Sequence, residues 1–249
     1  MEMLNFSAAD GICRAAVKGV RTNPFCFAHR SPDADSSRRL CSMDKKSLRR
    51  EYLKLRADIP PEERKAADSA IARRVEALPE FRNAAVVAGY VTDGTEPDVL
   101  SIIRSALKKG RRACLPKWNG NEYILSFVDP ADLDSLAPGK WGLLEPVFPR
   151  PMDGSIPAEN VLYLVPGVAF DDKLNRLGRG GGIYDRILKE RGRAAALGVF
   201  YECQQCPVLP VEVHDVPLDM VVTESAVRRC RNNASAQKPQ VPAEAETMK

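Results

Sequence analysis

Residues 161–191 constrain the fold of this chain more than any other stretch. An apolar run of strand length, residues 161–165, is followed by Pro-Gly, which ends a strand. The sequence Gly-Arg-Gly-Gly-Gly occupies residues 178–182, and a helical spacing of apolar residues begins at Tyr184. The stretch therefore predicts a strand, a glycine-rich turn and a helix in direct succession, which is a unit of α/β domains.

The glycine segment, residues 178–182, predicts an anion site. Glycine permits a positive φ and leaves no Cβ between the backbone amides and a ligand. Amides in such a turn bind phosphate groups, and Arg176 and Arg179 add positive charge. A flexible loop is the alternative interpretation. The segment matches neither of two known nucleotide-binding motifs: no lysine follows it to complete a P-loop, and Ile183 stands where the dinucleotide-binding pattern needs glycine. The segment therefore predicts an anion site without identifying the ligand.

The composition favours one α/β domain. The chain has 249 residues, of which 44% are hydrophobic and 28% charged. A net charge of +4 and 6% aromatic residues permit anionic ligands but disfavour a nucleic-acid binder. No apolar run approaches the roughly 18 residues of a membrane span, and no signal peptide is visible. The seven cysteines are expected to be reduced thiols in the cytoplasm.

The two ends of the chain differ from its middle. Residues 1–42 lack sustained periodicity, so we expect a disordered leader; a transit peptide, or translation that begins at Met43, is the alternative. Residues 231–249 are polar, which predicts a disordered tail. The folded domain is expected to span residues 44–228.

The middle of the chain predicts two leading helices and then strands and helices in the order β-α-β-β-β-α-β-β. This order favours a mostly parallel sheet flanked by helices. Residues 129–160 are expected to form a long ordered loop. The predicted helices cover residues 44–57, 60–78, 96–110 and 184–191, and the predicted strands cover residues 84–91, 112–115, 123–128, 161–165, 195–200 and 220–223. In the first helix, Leu48, Tyr52 and Leu55 are predicted to form an apolar stripe.

Several charged residues are candidates for chemistry. Lys45 and Arg49 share one face of the first helix, and they either meet solvent or point together at an anion. Glu96 follows a predicted central strand, and ligands of open α/β sheets bind at that edge. An acid favoured by the helix dipole is the alternative reading of Glu96.

A bound nucleoside triphosphate would require a divalent metal held by few carboxylates. Asp185 lies one turn into the helix after the glycine segment, although an acid there also suits the helix N-terminus. The second carboxylate could come from Asp215 or Asp219. Asp171 and Asp172 are a third source, although these two are more typical of a turn.

Further segments occur in a recognisable order over residues 44–225, and residues 176–186, Arg-Leu-Gly-Arg-Gly-Gly-Gly-Ile-Tyr-Asp-Arg, are the most specific of them. The others are Lys45–Arg49, Glu96-Pro97, Leu115-Pro116, Gly142–Pro146, Val165–Asp171, Leu209–Asp219 and Thr223-Glu224. Together they resemble the 5-formyltetrahydrofolate cyclo-ligase family, also called methenyltetrahydrofolate synthetase. The resemblance implies a single α/β domain of the sugar-phosphate isomerase and CoA-transferase type.

The resemblance also implies an enzyme that uses ATP and Mg²⁺ to convert 5-formyltetrahydrofolate to 5,10-methenyltetrahydrofolate, with release of ADP and phosphate. The γ-phosphate would first move onto the formyl oxygen. A non-catalytic accessory protein of the same fold, which binds folate or nucleotide, is the alternative. We expect a cytoplasmic monomer without nucleic-acid or membrane partners. Its folate substrate is expected with or without a polyglutamate tail.

The resemblance assigns roles to individual residues. Asp185 and Asp215 would hold Mg²⁺, and Arg179 would stabilise charge during phosphoryl transfer. Glu96, Arg179 and Tyr184 would contact the folate. The residues implied to bind ATP are Lys45, Arg49, Arg176, Leu177, Gly178, Arg179, Gly180, Gly181, Gly182, Ile183 and Tyr184.

Overall fold

A computed structural model describes residues 44–230 with the exception of residue 153. The predicted leader, 1–42, and the predicted tail, 231–249, lie outside the described residues. Within the described part, no helix combines the length and the apolar character that a membrane crossing requires.

The helices lie close to their predicted positions. The strands are mostly short, and several belong to small hairpins outside the main sheet. The helices are α1 Lys45–Ala57, α2 Pro61–Ala77, α3 Pro79–Asn83, α4 Leu100–Lys108 and α5 Ile183–Lys189, and the strands are β1 Val86–Ala88, β2 Arg112–Trp118, β3 Tyr123–Val128, β4 Ala137–Pro138, β5 Leu144–Glu145, β6 Val161–Val165, β7 Ala169–Phe170, β8 Arg176–Leu177, β9 Ala195–Val199, β10 Met220–Val222 and β11 Val227–Arg229.

In the described part of the chain, seven strands form one sheet in the order β11-β10-β9-β6-β1-β2-β3. The five central strands run parallel, and the edge strands β11 and β3 pair antiparallel with their neighbours. The predicted single α/β domain with a mostly parallel sheet is therefore confirmed. Because β1, β6 and β9 pair in parallel, their carboxyl ends lie at one edge of the sheet.

Both faces of the sheet are covered, as parallel strands require. Every residue of β6 is buried. One apolar cluster packs α2, α3 and α4 against the sheet, with Ile71, Phe81 and Ile103 fully buried. A second cluster on the other face includes Phe200 and Leu188 of α5. These clusters fix the sheet, and the sheet in turn holds the loops at its carboxyl edge.

Some predicted boundaries were wrong. β1 has three residues instead of the predicted eight, because the chain leaves the sheet at Gly89. The helix expected from Glu96 begins only at Leu100, whose N–H donates to the side chain of Asp98. Glu96 therefore lies in the loop between strand and helix, where it is free of helical geometry.

The sequence also missed short elements. Pro79 ends α2, as predicted, but it also opens α3, because proline suits the first turn of a helix. Residues 129–160 contain short 3₁₀-helices and the β4–β5 pair, so this segment is not simply a loop. The β7–β8 hairpin follows β6 and leads the chain to the glycine segment. Its strands of two residues are too short to show a period in the sequence.

Candidate active site

A cleft of about 310 Å³ lies at the carboxyl edge of the sheet. It is bounded by segments that follow β1 and β6, by the glycine segment and by the start of α1. Of the residues with predicted roles, Leu177 does not line it, because its side chain is buried with Leu48 and Tyr52. The others all do: Lys45, Arg49, Glu96, Arg176, Gly178, Arg179, Gly180, Gly181, Gly182, Ile183, Tyr184, Asp185 and Asp215.

The glycine segment has the backbone that its sequence predicts. Gly180 has a φ of 102° and Gly182 a φ of 63°, and both values disfavour other residues. Gly182 caps α5 in the left-handed conformation. The Nε of Arg49 donates to the carbonyl of Gly178 at 2.8 Å, so the Arg49 side chain contacts the glycine segment. The helical spacing of Lys45 and Arg49 therefore does direct both side chains to the cleft.

Arg176 lies beneath the glycine segment. It is nearly buried, and its Nη2 donates to Oδ1 of Asp185 at 2.6 Å. A Cβ at Gly178 would lie 2.9 Å from Nη1 of Arg176, so a larger residue there would displace the guanidinium. The Nε of Arg176 is buried without a hydrogen-bond partner in the described part of the chain.

Four charged residues form what we call the inner cluster: Arg56, Asp93, Glu96 and Arg179. Arg56 is fully buried, and its guanidinium lies 3.2 Å from Asp93 Oδ2 and 3.5 Å from Glu96 Oε1. It also donates to the carbonyl of Gly167 at 3.2 Å. Arg179 pairs with the same two carboxylates, and its side chain is half-exposed. Two arginines thus share two acids.

The sequence reading missed Arg56 and Asp93. The prediction that Leu55 belongs to the buried stripe of α1 was wrong, because Leu55 is exposed. The stripe continues instead from Leu48 and Tyr52 to Arg56, at i, i+4 and i+8. An arginine in phase with an apolar stripe was the available signal, since a buried arginine requires a carboxylate partner.

Glu96 is the most enclosed carboxylate of the inner cluster, with 9% of its surface exposed. Burial raises the pKa of Glu96, and the charge and hydrogen bond of Arg56 oppose that shift. The hydroxyl of Tyr184 is also buried in this region, and no described residue hydrogen-bonds to it. Burial raises the pKa of Tyr184, so the phenol stays neutral and can donate to a ligand.

A second group, the rim cluster, consists of Lys45, Glu212 and Asp215. The Lys45 ammonium lies 2.8 Å from Asp215 Oδ2 and 3.0 Å from Glu212 Oε1. Asp215 Oδ2 also accepts from the Glu212 N–H at 2.8 Å. Burial acts to raise the pKa of Asp215, but the Lys45 and Glu212 hydrogen bonds outweigh it and lower that pKa.

The other predicted sources of a metal-binding acid have structural partners outside the cleft. Asp219 accepts from Arg191 at 2.5 Å and from the Ala196 N–H at 2.8 Å. Asp171 holds the turn of the β7–β8 hairpin, and Asp172 accepts from a glutamine side chain. The described residues contain no group of three or more histidines, cysteines or acids that could hold a metal. Two cleft carboxylates, Asp185 and Asp215, still match Mg²⁺, which needs few protein ligands when phosphates supply the rest.

One part of the cleft lining, which we call the apolar wall, consists of Pro116, Tyr123, Leu143 and Leu144. These residues come from β2, β3 and the neighbourhood of β5. A cleft lined by both apolar and charged side chains suits a ligand with an aromatic ring system and an anionic group.

Comparison with known proteins gives consistent results. Residues 41–224 match the family model described as the 5-formyltetrahydrofolate cyclo-ligase family. The chain is 30% identical over 184 residues to the 5-formyltetrahydrofolate cyclo-ligase of Haemophilus influenzae, which covers 70% of this chain and 94% of that protein. It is 31% identical over 174 residues to a probable 5-formyltetrahydrofolate cyclo-ligase of Schizosaccharomyces pombe, covering 64% and 84% respectively. The NMR structure of Aquifex aeolicus 5,10-methenyltetrahydrofolate synthetase is similar with a TM-score of 0.68 and 36% identity, and covers 81% of this chain and all of that one.

Proposed function

Because this chain belongs to the 5-formyltetrahydrofolate cyclo-ligase family, we propose how its cleft carries out the reaction of that family. The chain is an ATP-dependent enzyme of folate metabolism, which converts 5-formyltetrahydrofolate to 5,10-methenyltetrahydrofolate with release of ADP and phosphate. One observation supports the assignment of roles: the glycine segment, the basic side chains and the carboxylates that the reaction needs all line one cleft.

ATP would lie along the glycine segment. Arg49 contacts the segment directly, Lys45 lies nearby on the same face of α1, and Arg176 lies beneath it. Arginines beside a glycine turn stabilise phosphate oxygens through charge-assisted hydrogen bonds. In the protein without ligands, Lys45 and Arg176 are paired with carboxylates, so bound phosphates would compete for these cations.

The folate would lie between the inner cluster and the apolar wall. The Glu96 carboxylate can accept hydrogen bonds from the amine and ring N–H of a pterin, as a planar two-point contact. The Tyr184 hydroxyl, which has no partner among the described residues, can donate to the folate. Leu143 and Pro116 would pack against the ring.

Mg²⁺ would be held by Asp185 and Asp215, and when bound it would neutralise charge on the phosphates. Both carboxylates lie at the cleft, and each is bonded to a cation that a metal ion can replace. Neither carboxylate is strongly enclosed, since their side chains are 20% and 19% exposed. Bound phosphates would pair with the Lys45 and Arg176 cations, so both carboxylates would be released for the metal when ATP binds.

The reaction requires activation of a poor leaving group. The formyl oxygen would attack the γ-phosphorus, the bond from that phosphorus to ADP would break, and an iminium phosphate would form. The side-arm amine of the folate would then attack the formyl carbon, lose its proton, and expel phosphate together with the formyl oxygen. The protein needs to position the two substrates and to stabilise charge, which is the proposed role of Arg179.

The direct test is the absorbance of the methenyl-folate band after the protein is mixed with 5-formyltetrahydrofolate and Mg²⁺, with and without ATP. We expect a rise that requires ATP. An absence of any rise, with ATP still bound, would instead support a non-catalytic accessory protein of the same fold.

The cytoplasmic location, the monomeric state and binding of polyglutamylated folate are further proposals. They rest on membership of the family. Gel filtration with light scattering, and kinetics with folates of different glutamate number, would test the last two.

A further inference from the structure

The inner cluster contains two arginines in unlike positions. Arg56 and Arg179 contact the same two carboxylates, Asp93 and Glu96. The Arg56 side chain has no exposed surface, whereas half of the Arg179 side chain is exposed. Burial lowers the pKa of Arg179, and the nearby charge of Arg56 lowers it further.

Arg56 cannot leave its place at low cost. It extends from the buried face of α1 and bonds the Gly167 carbonyl, which belongs to the segment after β6. Moving a buried guanidinium without its partners costs several kcal/mol. Among the described residues, Arg179 has no such anchor: it lies on the glycine segment, and it pairs with the two carboxylates that Arg56 already neutralises.

We propose that Arg56 is a positioning residue: it is the permanent counter-ion of Asp93 and Glu96, which fixes Glu96 for the substrate and allows Arg179 to leave for the transferring phosphoryl group. The inference rests on the roles of Glu96 and Arg179 in the proposed function.

The hydrogen bonds of Asp93 agree with this division. Its Oδ1 accepts from the Thr95 N–H at 2.8 Å, from the Thr95 hydroxyl at 2.8 Å and from the Glu96 N–H at 3.0 Å. These donors remain when Arg179 departs, and Arg56 still holds Oδ2. Without Arg56, Arg179 would be the remaining cation for two carboxylates, and it would be retained in this position.

The charge of Glu96 provides a readout. The groups that face it are Arg56 from α1, Asp93 from its own loop and Arg179 from the glycine segment, with Tyr90 after β1 and Tyr184 of α5 also near. Burial raises the pKa of Glu96, and the charge and hydrogen bond of Arg56 act to lower that pKa. Removal of Arg56 should therefore keep Glu96 protonated to a higher pH, and a protonated acid cannot accept both pterin hydrogen bonds.

The experiment measures kcat/KM for 5-formyltetrahydrofolate against pH in the full-length enzyme. Arg56→Met should move the acid limb upward by about one pH unit, which is the lower range for loss of a nearby opposite charge. It should also lower kcat about tenfold as Arg179 is retained. Arg56→Lys keeps the positive charge, so its acid limb should stay close to the pH at which the wild-type enzyme shows it.

Two further variants keep the inference testable if Arg56→Met does not fold. Asp93→Asn removes a negative neighbour of Glu96 and should move the acid limb downward, while Asn retains an acceptor for the Thr95 donors. Arg64→Met is the matched control, because Arg64 bonds carbonyls of the same loop and of the end of α1 but neither carboxylate. It should lower the melting temperature without moving the acid limb.

The outcomes separate the inference from the proposed function. Glu96→Gln should raise KM for the folate and remove the acid limb; if it does neither, the proposed role of Glu96 in folate binding and this inference are both wrong. If Glu96→Gln behaves as expected but the acid limb stays in place in Arg56→Met and Asp93→Asn, Arg56 is merely structural and this inference alone is overturned.

Discussion

The inner cluster and the rim cluster use the same chemistry at two depths of one cleft. In the inner cluster, the fully buried Arg56 joins Asp93 and Glu96. In the rim cluster, Lys45 and its carboxylate partner Asp215 are 18% and 19% exposed. Water can solvate separated partners at the rim but not beneath it, so burial decides which charge pairs are permanent and which can exchange.

Asp185 gives the largest expected effect, because it is proposed to hold the metal and would be freed from the buried Arg176 only when phosphates replace it. We predict that Asp185→Asn abolishes measurable turnover, with a loss of at least about 100-fold, since several kcal/mol of transition-state stabilisation are removed with the metal. Asn keeps an oxygen for Arg176, so the far-UV circular dichroism spectrum should not change. Steady-state kinetics measure the first quantity.

The matched control for this variant is Asp172→Asn. Asp172 lies outside the cleft and accepts from Gln205, so its loss should leave kcat within twofold of the wild type, as is usual for surface changes. Unchanged turnover in Asp185→Asn would refute the proposal that Asp185 holds the metal.

Arg179 should come next, because it is the exchangeable member of the inner cluster. Arg179→Met is predicted to lower kcat about 100-fold, through loss of charge stabilisation in phosphoryl transfer, and to change KM for folate less. The melting temperature should change little, because the side chain is half-exposed and Arg56 still pairs both acids. Arg186→Met is the control, since Arg186 is exposed, does not line the cleft, and donates to the Gly181 carbonyl at 3.4 Å. A kcat equal to that of the control would mean that Arg179 is not catalytic.

Asp215 and Asp219 allow the comparison to be sharpened within one short segment. Asp215→Asn should raise KM for MgATP roughly 10-fold to 100-fold, the range for weakened metal affinity, with little loss of stability. Asp219→Asn should do the reverse: it weakens the contacts to Arg191 and Ala196 and should lower the free energy of unfolding by about 1–2 kcal/mol, with unchanged kinetics. Denaturant unfolding and initial rates on both variants decide the matter. An increase of KM in Asp219→Asn alone would show that the wrong acid was chosen.

The predictions from sequence were best where burial acts on several residues in a row. The five apolar residues of β6 and the apolar spacing of α4 gave the sheet and its helices, because such patterns sum over many contacts. The β7–β8 hairpin and β11 were missed, since strands of two or three residues carry no readable period and depend on neighbours distant in sequence.

The site shows the same limit more strongly. The glycine segment could be predicted, because positive φ values demand glycine, and resemblance to a family supplied the acids. Arg56 could not be assigned a partner, because Asp93 and Glu96 are 37 and 40 residues away and meet it only through the fold. A charged residue within an apolar stripe signals that a partner exists but does not say which one.

The smallest effect concerns the glycine segment, which carries Arg179 of the inner cluster. Gly180→Ala should raise KM for ATP about 5-fold to 10-fold, because a φ of 102° costs alanine about 1–2 kcal/mol. The free variant would relax to another backbone conformation, and ATP binding would have to restore the original one. Gly181→Ala is the matched control: its φ is not positive, and the nearest atom would be 3.8 Å away, on Ile183. We expect Gly181→Ala to stay within about twofold of the wild type. Equal KM values for the two variants would refute the prediction, because ATP binding would then not require a φ near 102° at residue 180.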